Sequence, residues 1–282
     1  MKKIYILIVT LVTLALGYEF LYLNQFLTSE FSFLASMKEK GIIASDVSPS
    51  TRSGKWVSLY LGWIGSSFLL ALLLYSLRRR VSVFKSLGAI KTHLDFHIFC
   101  GFMGTVLIVF HANFKVGGLV AIPFWTMMIS FVSGIIGRFL MGQLSVKKED
   151  LEKECLMIES ELEQYPSVIS EFVNSKKQFI QEYIGGQTAS IYNEVSITKV
   201  FYNTFLGDFY LHMKLNRVLS DLPKDVAGKL KLYSLANRKL AFYAPTKKIL
   251  SYWHSFHLPF SIVMYVLAIL HIVSSLFFSV EM

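Results

Sequence analysis

The sequence has few of the features that mark a disulfide-bonded protein, a c-type cytochrome or a nucleotide-binding protein. Its 282 residues include only two cysteines, Cys100 in an apolar run and Cys155 in a charged segment, and neither position favours a disulfide. No CxxC or CxxCH motif is present, which argues against covalently attached haem. No GxGxxG or related phosphate-binding loop is present either, so the sequence predicts no nucleotide-binding domain.

Acidic residues are also scarce. The chain has 19 Asp and Glu residues against 28 Lys and Arg residues, which gives a formal net charge of +9. Most of the excess lies at the ends of apolar runs, where it favours attraction to anionic lipid headgroups. Binding to nucleic acid would need a basic patch on a soluble surface, and no such patch is evident. We therefore expect membrane lipid as a partner and no nucleic acid.

Long apolar runs dominate what is present. The chain is 54% hydrophobic with a mean hydropathy of +0.50. Because about 20 apolar residues suffice for a helix to cross a bilayer, we predict an all-α membrane helical bundle with five transmembrane helices. The predicted spans are about 4–24, 57–77, 94–113, 119–141 and 255–279.

The first span has two interpretations. Lys2 and Lys3 precede an apolar run that reaches Ala15-Leu16-Gly17, which could be a signal peptide. Apolar residues continue past Glu19, however, and this favours an uncleaved membrane anchor over 1–24. Both interpretations leave the rest of the topology unchanged.

Basic residues at the ends of the spans predict the orientation. They place the amino terminus inside and the carboxyl terminus outside. On this topology 25–56 is an outer loop with four basic and three acidic residues. Spans two to four occupy 57–141, a cytoplasmic helical segment occupies 142–252, and the fifth span and carboxyl terminus occupy 253–282.

The segment 142–252 has the pattern of amphipathic helices. Apolar residues recur at three- and four-residue steps in two stretches, and 15 basic residues nearly balance 13 acidic ones. Such a segment could pack on itself, on the inner membrane surface or on a partner. The stretches are Leu151, Cys155, Ile158 and Leu162, then Ile169, Phe172, Val173, Phe179, Ile180 and Tyr183.

Four of the seven histidines share one spacing within two of the predicted spans. His97 and His111 are fourteen residues apart, and so are His257 and His271. Fourteen helical steps fall about 40° short of four turns, so the members of a pair share a helix face about 21 Å apart along the axis. Since both spans run from inside to outside, we expect His97 level with His257 and His111 level with His271.

These two levels predict two b-type haems. An unligated imidazole is costly in lipid, and haem iron takes axial imidazole ligands from facing helices. A lone membrane histidine is explained as well by a hydrogen bond to a neighbouring helix, but four at one interval are difficult to explain in that way. Gly101 and Gly104 follow His97 on its own face, where they would admit a porphyrin or mediate plain helix packing.

Three further residues are assigned to the surroundings of the inner haem. His93 and His254 each lie one turn before a predicted ligand and could replace it. Because their intervals to the outer histidines are unequal, we expect them instead to bond haem propionates or to line an inner quinone or proton site, with solvated interfacial histidines as the alternative. Arg138 in GIIGRF could pair with an inner propionate or simply anchor the topology.

Several stretches resemble the ferric reductase-like transmembrane superfamily, which includes ferric reductases, NADPH oxidases and the haem subunit of bacterial methionine sulfoxide reductase systems. The resemblance rests on the paired histidines and covers about 57–141 and 253–279. It is carried by YLGWIGSSFLLALLLYSLRRR, HIFCGFMGTVLIVFHANF, SGIIGRF and WHSFHLPF, which look like a bacterial branch of cytochrome b-like membrane proteins.

The resemblance implies electron transfer across a bacterial cytoplasmic membrane through two stacked haems. His97 and His257 would carry the inner haem, and His111 and His271 the outer one. Ferric reductases and NADPH oxidases append a flavin and nicotinamide domain, of which no motif is found here. We therefore expect electrons from quinol or a separate flavin-containing reductase, and delivery to a redox partner on the outer face. The segment 142–252 could dock the donor or only tie the fourth span to the fifth.

Two other classes of function fit parts of the sequence. A membrane enzyme with a non-haem metal would need ligands at one depth together with carboxylates, and Asp95 is the only acidic residue in the two histidine spans. A non-redox scaffold or sensor would bind a partner through the cytoplasmic segment and use the histidines for packing or pH response.

Overall fold

The structure is a computed structural model. It describes 3–43, 50, 54–86, 88–114, 117–118, 121–167, 170–171, 209, 213–220 and 222–279. These residues are helical or lie in turns and loops, without a strand, which confirms the predicted all-α fold for this part of the chain. The helices are α1 Lys3–Leu23, α2 Phe33–Glu39, α3 Trp56–Ala71, α4 Leu73–Arg80, α5 Ile90–His111, α6 Ala121–Gln143, α7 Lys148–Leu162 and α8 Lys224–Ser279, with a 3₁₀ turn at Ser82–Ser86.

Five helical stretches of the described chain are long and apolar enough to cross a membrane, and each overlaps one predicted span. Large apolar side chains remain exposed along them, among them Leu14 (66%) and Trp63 (51%). Such surfaces are costly in water and expected in lipid, which indicates a membrane protein. The number of helices that cross, and the direction in which they cross, stay predictions. The five stretches are Lys3–Leu23, Trp56–Arg80, Ile90–His111, Ala121–Gln143 and Lys224–Phe277.

Two details of the helices were not among the predictions. Within the predicted span 57–77, α3 ends before Leu72 and α4 begins after it. The predicted boundary between 142–252 and 253–282 falls inside one helix, since α8 continues from Lys224 to Ser279. A proline removes one hydrogen bond from a helix without necessarily ending it, and α8 contains two, Pro245 and Pro259.

The chain divides into two compact units, which are described separately. The first comprises Met1–Gly134 and Pro259–Met282, and the second comprises Ile135–Leu258. The helix α8 contributes its amino-terminal part to the second unit and its carboxyl-terminal part to the first.

In the first unit, α3 and α5 pack side by side in opposite directions. Ser58 near the start of α3 contacts His111 at the end of α5, and Leu72 just after α3 contacts His97 in the first half of α5. The carboxyl-terminal part of α8 joins this pair, because the Tyr265 hydroxyl donates a hydrogen bond of 2.6 Å to the Leu69 carbonyl. A buried cluster of Leu69, Met127 and Met264 adds α6 to the same core.

The region predicted as an outer loop, 25–56, contains the short helix α2. Ser32 is its N-cap residue, and Ser32 Oγ also donates a hydrogen bond of 2.9 Å to Glu19 Oε2. The other oxygen of Glu19 accepts from the backbone amides of Phe33 and Leu34. The one acidic residue of α1 therefore satisfies amide groups at the amino terminus of α2, where a helix has no acceptors of its own.

In the second unit, α7 packs against 213–220 and the start of α8 around an apolar core. Leu151, Cys155 and Leu162 are buried, which confirms the apolar face predicted for this helix. Burial, followed by the nearby carboxylates of Glu154, Glu159 and Glu152, raises the pKa of the Cys155 thiol. The later positions of the predicted pattern, Ile169 and 172–183, lie outside the described residues. The core consists of Leu162, Leu215, Leu219, Val226 and Leu230.

Candidate cofactor site at the paired histidines

The end of α5 lies beside the carboxyl-terminal part of α8 in the first unit. The ring centres of His111 and His271 are 6.4 Å apart, and the ring planes are inclined by 69°. Both side chains are partly buried. The structure thus brings together the two histidines that the fourteen-residue spacing places level with each other.

This separation fits two imidazoles on opposite sides of one metal ion. A metal–imidazole bond is about 2.0 Å long and the ring nitrogen lies about 1 Å from the ring centre, so two rings on one metal have centres about 6 Å apart. Two aromatic rings in edge contact without a metal lie in the same range, about 4.5–7 Å. The position of the ring nitrogens is therefore the more informative feature.

The Nδ1 atom of His111 is held by α3. It lies 2.7 Å from the carbonyl oxygen of Ser58, which can only accept, so Nδ1 carries the proton and donates it. Ser58 Oγ in turn donates a hydrogen bond of 2.9 Å to the carbonyl of His111. Since Nδ1 is protonated, the lone pair of a neutral ring resides on Nε2. Metal-bound histidines commonly have this arrangement, in which the second ring nitrogen donates to a carbonyl.

Gly62 gives the His111 ring access to that carbonyl. It follows Ser58 by one helical turn, and a Cβ atom on Gly62 would lie 2.7 Å from His111 Nδ1 and 2.8 Å from His111 Cε1. Any residue other than glycine would push the ring away from α3. The sequence therefore needs glycine at this position for the contact between α3 and His111.

His97, at the other end of α5, makes the same type of bond. Its Nδ1 lies 3.2 Å from the carbonyl oxygen of Leu72, the residue between α3 and α4. The ring of Tyr75 lies beside it, with ring centres 5.2 Å apart. The interruption of the helix at Leu72 gives the His97 ring access to the Leu72 carbonyl, as the missing side chain of Gly62 gives His111 access to the Ser58 carbonyl.

The two acceptors on the partner helix repeat the spacing of the histidines. Ser58 and Leu72 are fourteen residues apart, as are His97 and His111. Because α3 and α5 run in opposite directions, the equal intervals place one carbonyl at each histidine. Sequence reasoning missed both acceptors, since any residue supplies a carbonyl and the spacing leaves no residue-type signal.

The second unit orients His257 through a tryptophan. The rings of Trp253 and His257 are stacked, with centres 4.9 Å apart and planes inclined by 20°. The indole of Trp253 in turn lies on Gly137 of α6, where a Cβ atom would overlap its six-membered ring. His257 and His97 belong to different units, so their pairing stays a prediction. The i, i+4 spacing of Trp253 and His257 is the signal that could have identified this contact.

The remaining predicted polar residues have the following surroundings. His93 Nδ1 lies 3.2 Å from the Ala89 carbonyl of its own helix start. His254 is exposed, with its ring centre 6.3 Å from that of Trp253. Arg138 is partly buried on α6. His93 belongs to the first unit and Arg138 and His254 to the second, so their place beside an inner haem stays a prediction.

The two predicted glycines, Gly101 and Gly104, differ in how closely the neighbouring residues pack against them. A Cβ atom on Gly104 would lie 2.9 Å from Leu69 Cδ2 and 3.1 Å from the Gly65 carbonyl oxygen, so helix packing accounts for this glycine. A Cβ atom on Gly101 would meet only Leu72 Cδ2, at 3.8 Å, which is an ordinary contact. Close packing therefore accounts for Gly104 and not for Gly101.

The ligand types restrict the kinds of metal site. Among the described residues, no group of three or more His, Cys, Asp or Glu side chains could hold a metal ion. Haem iron needs fewer ligands from the protein, because the porphyrin supplies four and the chain supplies only the axial ones. The chain matches no protein-family model, no curated protein and no solved structure. Its resemblance to the ferric reductase-like superfamily stays a prediction.

Proposed function

We propose that the chain is a dihaem b-type subunit of a membrane electron-transfer system in a bacterial cytoplasmic membrane. It would pass electrons between quinol or a separate flavin-containing reductase and a redox partner on the other membrane face. The observation that carries the proposal is the 6.4 Å separation of the His111 and His271 rings, together with the bond that commits His111 Nδ1 to α3.

The residues that would hold the haems form two pairs, His111 with His271 and His97 with His257. Haem iron, when bound, supplies a centre that accepts and releases one electron at a time. The chain itself orients the ligands: the Ser58 and Leu72 carbonyls set the tautomer of the α5 histidines. In a membrane, the apolar helices and the lipid around them would keep water away from the rings, which favours burial of a porphyrin.

Removal of one histidine pair tests the proposal. The double variant His111→Ala with His271→Ala should lower the haem-to-protein ratio of the purified chain from two to one, because each haem depends on its own pair. The variant His212→Ala, at a histidine outside the predicted spans, should keep both haems. Two haems retained in the first variant, or one lost in the second, would show that the ligands are assigned wrongly.

A non-redox scaffold or sensor is the second candidate. It is favoured by the 69° inclination of the His111 and His271 rings, which is also an ordinary edge contact between aromatic rings. Colour separates the two candidates, since haem absorbs visible light and a scaffold of packed histidines does not. The scaffold predicts a colourless protein even after expression with added haem.

A further inference from the structure

A cleft with no assigned role lies within the second unit, between the end of α6 and the middle of α8. Gln143 lines it from α6, and Arg238, Lys239, Tyr243 and Thr246 line it from α8. Its enclosed space is about that of one water molecule and the remainder is open to solvent, so a phosphate would lie at the mouth of the cleft and not inside it.

The polar atoms of the cleft suit an anion. Arg238 and Lys239 bring positive charge, Gln143, Tyr243 and Thr246 bring hydrogen-bond donors, and no carboxylate lines the cleft. The guanidinium carbon of Arg238 lies 4.9 Å from the ring centre of the buried Phe242. Stacking on a ring restricts the motion of the guanidinium, and the planar guanidinium matches the geometry of phosphate oxygens.

The charge of α8 supports the same ligand class. Between Val226 and Leu258 the sequence has six basic residues and neither Asp nor Glu. A phosphate in the cleft would therefore meet no acidic side chain from its own helix. Lys229 pairs with Glu161 and Asp225, and Lys231 bonds Asn216. Arg238 and Lys239 line the cleft, and Lys247 and Lys248 follow on the same helix.

The position of the cleft along α6 favours a lipid as the source of the phosphate. Gln143 is the last residue of an apolar helix long enough to cross a membrane, and Lys147 and Lys148 follow it. Phospholipid headgroups lie at this level of a spanning helix, and basic pockets there bind anionic headgroups. We propose that the cleft binds the phosphate of an anionic phospholipid. This proposal does not depend on haem binding.

A purely structural role for the two cations makes a different prediction. Arg238 and Lys239 lie near the carboxyl end of α6, where cations stabilise the carbonyl groups that a helix leaves without partners. In that role they would stabilise the chain equally in every lipid. In the role proposed here, their effect depends on phosphatidylglycerol.

The experiment is a titration of the detergent-purified, delipidated full chain, followed by native mass spectrometry. The probes are phosphatidylglycerol and phosphatidylcholine. Wild type should bind phosphatidylglycerol at least about tenfold more tightly, since each nearby cation favours an anionic headgroup. Arg238→Gln with Lys239→Gln should abolish the preference. The matched control, Lys247→Gln with Lys248→Gln, removes the same charge from exposed residues of α8 that do not line the cleft, and should keep it.

The other outcomes overturn the proposal. Equal loss of preference in both double variants would indicate diffuse attraction, and no preference in wild type would exclude the site. Displacement of phosphatidylglycerol by millimolar inorganic phosphate would indicate a site for soluble phosphate. Circular dichroism checks the fold of each variant. Lys239→Gln alone, at an exposed position, serves if the double variant does not fold, and should weaken the preference in the same direction.

Discussion

The two ends of α5 bring a histidine ring to the backbone of α3 by different means. At the carboxyl end, His111 reaches the Ser58 carbonyl at 2.7 Å because Gly62 has no side chain. At the amino end, His97 reaches the Leu72 carbonyl at 3.2 Å because the helix is interrupted there. A carbonyl inside a regular helix is normally covered by the next turn, so each contact needs a local exception.

The difference indicates what the two sites share. A missing side chain and a helix interruption have no common cause in packing, yet both leave a ring with its Nδ1 proton donated to a carbonyl. The shared result is a fixed tautomer with the Nε2 lone pair available, which is the condition for an axial ligand. The predictions that follow separate this interpretation from simple helix packing, from the largest expected effect to the smallest.

Gly62→Ala should abolish the arrangement at the carboxyl end of α5. The added Cβ atom would lie 2.7 Å from His111 Nδ1, so the ring must leave the Ser58 carbonyl. We expect the haem-to-protein ratio to fall from two to one. Gly17→Ala in α1, where a Cβ atom meets nothing within 4 Å, is the control and should keep both haems. Full haem content in the Gly62 variant would exclude a role for this contact in ligation.

Gly137→Ala should displace Trp253, and with it the stacked ring of His257. We expect a loss of about 1–3 kcal/mol of stability from overpacking, together with loss of the haem that His257 would hold. Gly142→Ala on the same helix is the matched control, because a Cβ atom there meets nothing within 4 Å. Thermal unfolding in detergent and haem content measure the two effects. Equal behaviour of the two variants would contradict the role given to Trp253.

Gly101→Leu distinguishes a porphyrin from protein packing near His97. In the chain alone an added Cβ atom makes one ordinary contact, with Leu72 Cδ2 at 3.8 Å. A porphyrin against this face would collide with leucine. We expect lower haem content with an unchanged unfolding temperature of the haem-free protein. Unchanged haem content would place the porphyrin away from Gly101.

Tyr265→Phe should have the smallest effect on haem content and stability. The substitution lies between His257 and His271 on α8 and leaves both histidine rings in place. It removes the hydrogen bond of 2.6 Å to the Leu69 carbonyl. One such bond contributes about 0.5–1.5 kcal/mol, and haem content should not change. The shift of the unfolding midpoint measures the loss. A loss of haem in this variant would show that the position of α8 depends on this bond.

The sequence allowed the fold class and the pairing of His111 with His271 to be predicted, because both follow from periodicity. Apolar runs of sufficient length gave helices near the predicted positions, and a fourteen-residue interval on parallel helices placed the two rings level. The interruption at Leu72 was not predictable in the same way. The surrounding LLALLLYSL contains neither glycine nor proline, so the break depends on tertiary packing.

The residues that hold the histidine rings in position were harder to predict than the histidines themselves. Gly62 stands in a predicted span and Trp253 just before one, but their contacts depend on which face of α3 or α8 meets its neighbour. Ser58 acts through its carbonyl, which every residue has. In the sequence, Glu19 only interrupts an apolar run. Its role at the amino terminus of α2 depends on the fold of the region after α1.

The most direct test of the account is the visible spectrum of the detergent-purified wild-type protein, oxidised and then reduced with dithionite, with haem quantified as the pyridine haemochrome. The account predicts two b-type haems per chain and the reduced spectrum of six-coordinate, bis-histidine iron. A colourless protein after expression with added haem would contradict it.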